Sequence, residues 1–141
     1  TIRLPFESSA SEYVDAENLV EMRYFFTRKL ALIRESSGFV VMPGGFGTFD
    51  EFMEVVTLVQ TLKIKKHLPI VLYGSEYWDA VLDVKPLVEW GAIAERDLGL
   101  LCRVDTPDAA FEALRDHLLK YHMVPATKQE TRAPGIAKTR G

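Results

Sequence analysis

The chain has 141 residues, of which 48% are apolar and 11% aromatic, and its formal net charge is −3. This length and composition predict one globular domain with a substantial core and exclude a disordered chain. The small negative charge gives no general reason to bind nucleic acid or an anionic membrane, and one cysteine, Cys102, cannot form an internal disulfide. No apolar segment approaches the length of a membrane span and no signal-peptide pattern stands at the start, so we expect a reducing, cytoplasmic setting.

The chain opens on a predicted strand, Ile2 to Phe6, with no initiator methionine or leader before it. We therefore expect that an N-terminal part of the domain is absent from the chain. A polar connection follows, and a long amphipathic helix is predicted from Asp15 or Ala16 to Glu35, because its apolar residues recur every three or four positions. The stripe is wide enough to predict packing on both the sheet and a partner subunit, with ordinary core packing as the alternative; its members are Leu19, Met22, Phe26, Leu30 and Ile33, widened by Val20, Tyr24 and Phe25.

Two consecutive cations lie on this helix. Arg28 follows Tyr24 by one turn, so its guanidinium lies beside the aromatic edge, where it can stack on a ring or pair with a carboxylate. The alternative is a surface arginine whose stem covers apolar area. Lys29 is rotated by about 100° from Arg28 and is a weaker candidate.

Residues 38–51 predict a buried strand, a glycine-rich turn and the start of a helix. Phe39 to Met42 is a continuous apolar run, which is typical of a parallel strand covered on both faces. Pro43 ends the strand because it has no N–H to donate. Three glycines then follow within four residues, and glycine lets a ligand approach the backbone N–H groups; they are Gly44, Gly45 and Gly47.

The helix after the turn is predicted from Thr48 to about Leu62. Thr48 is a favourable N-cap and Glu51 completes a capping box in form, so the positive end of the helix dipole should lie at the loop. The order of strand, loop and helix predicts a phosphate site built from Gly44 to Thr48, including the N–H of Phe46. The sequence is neither a Walker A loop nor the dinucleotide fingerprint. A plain strand-to-helix turn is the alternative.

Two carboxylates share one edge of this helix near its N-terminus. Glu51 is the stronger candidate for chemistry, and Glu54, three residues on, is a candidate ribose contact. Acids in a first turn also stabilise the helix dipole without any further role. The apolar residues predicted to face inward are Phe52, Val55, Val56, Val59 and Leu62.

The segment from Pro43 to Glu51 matches the PGGxGTxxE motif of the Lonely guy (LOG) family, the cytokinin riboside 5′-monophosphate phosphoribohydrolases long labelled "possible lysine decarboxylase". The family's Arg-Lys pair on the preceding helix is matched by Arg28 and Lys29, and the resemblance extends from about Ile2 to about His122. It implies a Rossmann-like fold, N-glycosidic cleavage of a nucleoside monophosphate, a dimer or higher homo-oligomer, and no cofactor. The family's catalytic residues would fall on Arg28 and Glu51. LOG-like proteins also carry an N-terminal half with a further glycine-rich motif, which nothing in this chain resembles.

The second half of the chain predicts further helices and strands. A solvated basic turn, Lys63 to His67, leads to a strand at Ile70 to Tyr73 and a helix from Ser75 to about Trp90 that Pro86 interrupts. Tyr77 and Trp78 could form the floor of a base pocket or, as we favour, pack the helix on the sheet. The remaining predicted elements are a strand at Leu98 to Val104, a helix start at Asp105-Thr106-Pro107, a helix at Ala109 to Tyr121 and a flexible basic tail at 124–141.

Alternating strands and helices predict an α/β fold with a parallel sheet, a partial Rossmann-like domain over residues 1–123. His117 and His122 are five residues apart with no third ligand near them, so no metal site is expected. The function that the motifs favour is hydrolysis of a nucleoside 5′-monophosphate, such as AMP or a cytokinin riboside monophosphate. The alternative is a carrier of the same fold that holds a nucleotide or molybdenum cofactor without cleaving it. Pyridoxal-phosphate lysine decarboxylation is excluded, because no lysine stands beside a suitable phosphate loop and acidic partner.

Overall fold

A computed structural model describes residues 15, 17 and 19–123. The first predicted strand, the polar connection after it and the basic tail lie outside the described residues. The elements, in chain order, are α1 (Phe25–Glu35), β1 (Phe39–Val41), α2 (Phe46–Gln60), β2 (Ile70–Tyr73), α3 (Ser75–Val81), α4 (Lys85–Glu89), a 3₁₀ helix (Glu95–Leu100), β3 (Leu101–Val104) and α5 (Pro107–Tyr121).

The strands form a parallel sheet with the order β1-β2-β3, as predicted for an α/β fold. Phe39 pairs with Ile70, and Ile70 pairs with Leu101. Side chains of β2 alternate between the two faces of the sheet. Ile70 and Leu72 belong to a core with Phe52, Val55 and Trp78. Val71 faces the other way, towards Val104 and Ala110 of α5. The central strand is therefore covered by helices on both faces, and the Rossmann-like arrangement is confirmed.

The predicted burial of the strand at Phe39 to Met42 on both faces is wrong. The structure ends this strand at Val41, one residue before the predicted Met42, and leaves the Val40 side chain 40% exposed. Within residues 15, 17 and 19–123, β1 pairs only with β2 and so forms an edge of the sheet. An edge strand lacks the neighbour that buries a central strand, which explains the exposure.

Helix α1 begins at Phe25, about ten residues later than predicted. Tyr24 is the N-cap and has extended backbone angles, φ −121° and ψ 141°. The Tyr24 and Phe26 rings stack with centroids 5.7 Å apart. Residues two apart point to different sides of a helix, so this contact places Tyr24 outside α1.

Within α1, the alternative in which the whole apolar stripe packs in the core is wrong, because only part of the stripe faces the sheet. Ile33 joins the core, whereas Phe26 and Leu30 are 66% and 65% exposed. Because these side chains are exposed, packing of this face on a partner subunit stays a prediction.

Helix α2 ends in a turn that the inward-facing prediction for Leu62 missed. Leu62 has φ 56° and is 78% exposed. Its N–H donates to the carbonyl of Val59, and the next N–H, of Lys63, donates to Leu58. This is the Schellman pattern, in which the residue after the helix takes the left-handed conformation. Leucine here satisfies the helix carbonyls but carries the steric cost of its Cβ.

Two later predictions have different outcomes. The predicted interruption by Pro86 is confirmed, because residues 75–90 form two helices and Pro86 lies in the first turn of α4, where a missing N–H costs nothing. The strand predicted from Leu98 begins at Leu101, because residues Glu95–Leu100 form the 3₁₀ helix. Asp97 stabilises the first turn of this helix by accepting hydrogen bonds from Gln60 at 2.7 Å and from the Ala94 N–H at 3.0 Å. Both hydrogen bonds lower the pKa of Asp97, and the bond from Gln60 has the larger effect. The predicted Thr106 helix start is confirmed, because its hydroxyl accepts from the Ala109 N–H.

Within the described part of the chain, no helix combines the length and apolar character needed to cross a membrane.

The two tryptophans provide a test of the core. Trp78 has no exposed surface, and its indole N–H donates to the Tyr73 carbonyl at 3.0 Å, whereas Trp90 is 87% exposed. We expect Trp78→Ala to lower the free energy of unfolding by about 3–5 kcal/mol. The control, Trp90→Ala, should change it by no more than about 0.5 kcal/mol. Urea denaturation measures both, and equal losses would contradict the core described above.

Leu62 gives a second test, in the opposite direction. We expect Leu62→Gly to raise the free energy of unfolding by up to about 1 kcal/mol, because glycine relieves the left-handed strain at the cost of unfolded-state entropy. Leu62→Ala removes the same side chain but keeps the Cβ, so it should give no such gain. The same denaturation curves measure the difference, and a gain for alanine equal to that for glycine would refute the strain.

Candidate active site

The glycine loop joins the end of β1 to the start of α2. Gly45 is the N-cap of α2, with extended backbone angles, and no side chain caps the helix. Among the described residues, the N–H groups of Phe46, Gly47 and Thr48 donate to no backbone carbonyl, while that of Phe49 donates to the Gly45 carbonyl at 3.1 Å. The first turn of α2 therefore presents free N–H donors at its positive end, which is the arrangement that favours an anion.

The predicted capping box of Thr48 and Glu51 is not formed. α2 begins two residues earlier than predicted, so Thr48 is the third helical residue and not the cap. A Cβ built on Gly44 would lie 2.1 Å from the Thr48 hydroxyl oxygen. The hydroxyl thus occupies the space that any larger residue at position 44 would need, and it packs against the loop that the sequence assigns to phosphate.

Arg28 and Glu51 are brought together across 23 residues of sequence. The Arg28 Nη2 donates to Glu51 Oε1 in a short ion pair, and the two side chains are 32% and 39% exposed. The guanidinium carbon lies 5.4 Å from the Phe25 ring centroid. Arg28 therefore both stacks on an aromatic ring and pairs with a carboxylate, the two contacts that its position on the helix predicts. Its Nε is buried and has no hydrogen-bond partner in the described part of the chain.

Lys29 is held by the other carboxylates of α2. Its Nζ lies 2.5 Å from Asp50 and 3.4 Å from Glu54. The hydrogen bond to Asp50 is the main cause of a raised pKa for Lys29. The two consecutive cations of α1 thus pair with different carboxylates of α2. Arg28 pairs with Glu51, and Lys29 pairs with Asp50 and Glu54.

A cavity of about 340 Å³ opens beside this ion pair. Its walls are mostly apolar side chains of α1, β1 and α2. The polar residues that line it are Lys29, Ser36, Thr48 and Glu51. An apolar chamber with a few convergent polar groups is the usual form of a small-molecule site.

The other predicted site residues lie around this cavity in different ways. Glu54 is separated from Glu51, because it lines a shallow groove with Phe46, Phe49 and Met53 and not the cavity. Phe46 is 96% exposed and does not line the cavity, so its side chain contributes nothing to the cavity wall. The ammonium of Lys29 is engaged by two carboxylates. The catalytic and binding roles of all these residues stay predictions.

Sequence reasoning missed Asp50 and the role of Tyr77. Asp50 precedes Glu51 in the motif, and the juxtaposition of an Arg-Lys pair with an Asp-Glu pair on two neighbouring helices could have indicated it. The Tyr77 hydroxyl donates to the Gly44 carbonyl at 2.5 Å, a contact that no local pattern in the sequence indicates.

Residues 3–114 match the model of the family described as "Possible lysine decarboxylase". The chain belongs to the LOG family. A similar protein is Probable cytokinin riboside 5'-monophosphate phosphoribohydrolase LOGL1 of Oryza sativa subsp. japonica, 30% identical over 142 aligned positions that cover 96% of this chain and 60% of that protein. Cytokinin riboside 5'-monophosphate phosphoribohydrolase LOG1 of Arabidopsis thaliana is 27% identical over 115 positions, 79% of this chain and 53% of that protein.

A third relative has a higher sequence identity over a shorter alignment. Probable cytokinin riboside 5'-monophosphate phosphoribohydrolase LOGL5 of Oryza sativa subsp. japonica is 43% identical over 56 residues, which cover 39% of this chain and 22% of that protein. The chain thus spans between 22% and 60% of the length of these three relatives.

No group of three or more His, Cys, Asp or Glu side chains within residues 15, 17 and 19–123 could hold a metal ion.

The loop glycines differ in what a methyl group would meet, and this difference is testable. We expect Gly44→Ala to lower the free energy of unfolding, because the new Cβ would displace the Thr48 hydroxyl. A Cβ at Gly47 meets nothing within 4 Å, so Gly47→Ala should raise the free energy of unfolding by roughly 0.5–1 kcal/mol through helix propensity. Thermal or urea unfolding measures both changes, and equal effects of the two substitutions would contradict the packing of Thr48 on Gly44.

Proposed function

We propose that this protein hydrolyses the N-glycosidic bond of a nucleoside 5′-monophosphate, AMP or a cytokinin riboside monophosphate, to free base and ribose 5-phosphate. The observation that carries the proposal is the Arg28–Glu51 ion pair, which lies one helical turn from the free N–H groups of the glycine loop. The phosphoribohydrolase names of the relatives support the same reaction class.

The loop would hold the phosphate. Backbone N–H groups at the start of α2 and the Thr48 hydroxyl offer several donors in one place, and the helix dipole favours the negative charge. The net charge of the protein is negative, so local geometry, and not a general basic surface, must provide the attraction. The apolar chamber beside Thr48 and Glu51 has room for the uncharged part of a nucleotide.

The Glu51 carboxylate would act at the sugar. Hydrolysis breaks the bond from ribose C1′ to the base nitrogen and forms a bond from C1′ to a water oxygen. The hydroxyl of the water stays on C1′, and its proton goes to the nitrogen of the released base. Glycosidic cleavage passes through an oxocarbenium-like state, which a carboxylate stabilises. Glu51 would also accept hydrogen bonds from the ribose hydroxyls and orient the water.

Arg28 would fix the orientation of that carboxylate. Its guanidinium bonds Glu51 and lies against the Phe25 ring, so two contacts restrain it. We expect it also to help position the substrate and to stabilise the departing base. No step of this reaction needs a metal or an organic cofactor.

Base release by the full-length protein tests the proposal. We expect free base from AMP and from N6-isopentenyl-AMP, and we expect Glu51→Gln to lower kcat by at least about 100-fold while substrate affinity stays within a few-fold, because the amide keeps the shape but not the charge or basicity. Chromatography of the released base gives kcat, and calorimetry gives affinity.

The matched control is Glu112→Gln, the same change at an exposed position of α5 on the opposite face of the sheet. It should leave kcat unchanged. Tight nucleotide binding with no base release from the unmodified protein would overturn the enzyme and establish the carrier instead, and a Glu51→Gln variant with normal kcat would remove Glu51 from the mechanism.

A further inference from the structure

The turn after β2 touches the glycine loop after β1 at two points. The Tyr77 hydroxyl of α3 donates to the Gly44 carbonyl at 2.5 Å. Beside it, Gly74 has φ 91°, and a Cβ built on it would lie 3.3 Å from the Pro43 ring. A side chain at position 74 would thus be strained and crowded, so glycine permits the close approach of the two segments.

The Tyr77 hydroxyl is presented by a rigid part of the molecule. The Tyr77 ring packs edge-on against Trp78, with centroids 5.1 Å apart and planes at 87°. Trp78 is fully buried, and its indole N–H is bonded to the Tyr73 carbonyl. The donor is therefore fixed by the core, whereas the acceptor lies in a loop of glycines.

Hydrogen bonding of a carbonyl also sets the direction of the N–H on the same peptide unit. The trans peptide is planar, so the Gly44 carbonyl and the Gly45 N–H point in opposite directions. A peptide between two glycines can rotate to either orientation at little steric cost. The bond from Tyr77 selects the orientation in which the Gly45 N–H points away from α3. Among the described residues, this N–H donates to no backbone carbonyl.

We propose that Tyr77 is a positioning residue, whose hydroxyl holds the Gly44–Gly45 peptide so that the Gly45 N–H is presented to the phosphate of the ligand. This inference rests on the proposed function, because it assumes that the loop binds phosphate. Tyr77 touches the loop and not the reacting atoms, so it contributes to binding of phosphate-bearing ligands and not to the chemical step.

Tyr77→Phe removes only the hydroxyl and keeps the ring on Trp78. We expect the variant of the full-length protein to bind ribose 5-phosphate about three- to tenfold more weakly, as the loss of one neutral hydrogen bond and its peptide orientation implies. The KM for AMP should rise by the same factor with kcat unchanged, whereas the affinity for adenosine, which has no phosphate, should stay the same. Calorimetry measures the two affinities, and base release gives kcat and KM.

The matched control is Tyr73→Phe. Tyr73 lies on β2 and packs with Val71 and α5 on the other face of the sheet, and its hydroxyl has no hydrogen-bond partner in the described part of the chain. It should leave both affinities unchanged.

Three outcomes overturn the inference. Unchanged affinity of Tyr77→Phe for ribose 5-phosphate would show that the hydroxyl does not orient the loop. Equal losses for ribose 5-phosphate and adenosine would show a general loosening of the fold. An unmodified protein that fails to bind ribose 5-phosphate would remove phosphate from the loop altogether.

Failure of the proposed function is distinguishable from these outcomes. An unmodified protein that binds ribose 5-phosphate but releases no base refutes the hydrolase, while the comparison of Tyr77→Phe with Tyr73→Phe in ribose 5-phosphate binding still decides the role of Tyr77.

Discussion

Parallel pairing of β1 with β2 is the constraint on which the site depends. In a parallel pair both strands end at the same edge of the sheet, so the segments that follow them meet there. The register of Phe39 with Ile70 brings the glycine loop after β1 beside the turn after β2. Pro43 can then contact Gly74, and Tyr77 can reach Gly44. A slip of the register would separate all four residues, because each segment is fixed to the end of its own strand.

The charged residues of the site act on orientation more than on stability. The side chains of Arg28 and Glu51 are each about one-third exposed, and ion pairs with this access to solvent contribute little to the free energy of folding. Their geometry is nevertheless well determined, because Arg28 also contacts Phe25 and because Lys29 binds Asp50 and Glu54 on the same helix. Such a set of contacts between α1 and α2 keeps Glu51 in the wall of the cavity.

Local patterns account for the parts of the fold that the sequence predicts well. The apolar run at Ile70 to Tyr73 is the central strand, and Thr106 begins α5, because burial and capping leave direct signals in neighbouring residues. Patterns of the same kind mislead where tertiary contacts compete. Helical spacing continues upstream of Phe25, yet Tyr24 is extended and stacks on Phe26. The form of a capping box at Thr48 is present, yet Glu51 bonds Arg28 instead and the helix begins at Phe46.

The sequence by itself determined the parallel α/β class, the order of strand, glycine loop and helix, and the two motifs that assign the chain to its family, since each is a property of residues close together along the chain. Only the tertiary structure decided which partner each functional side chain has. Arg28 meets Glu51 across 23 residues, and Tyr77 meets Gly44 across 33. Contacts of this separation follow from the packing of helices on the sheet and from the register of the strands, and no local periodicity encodes them.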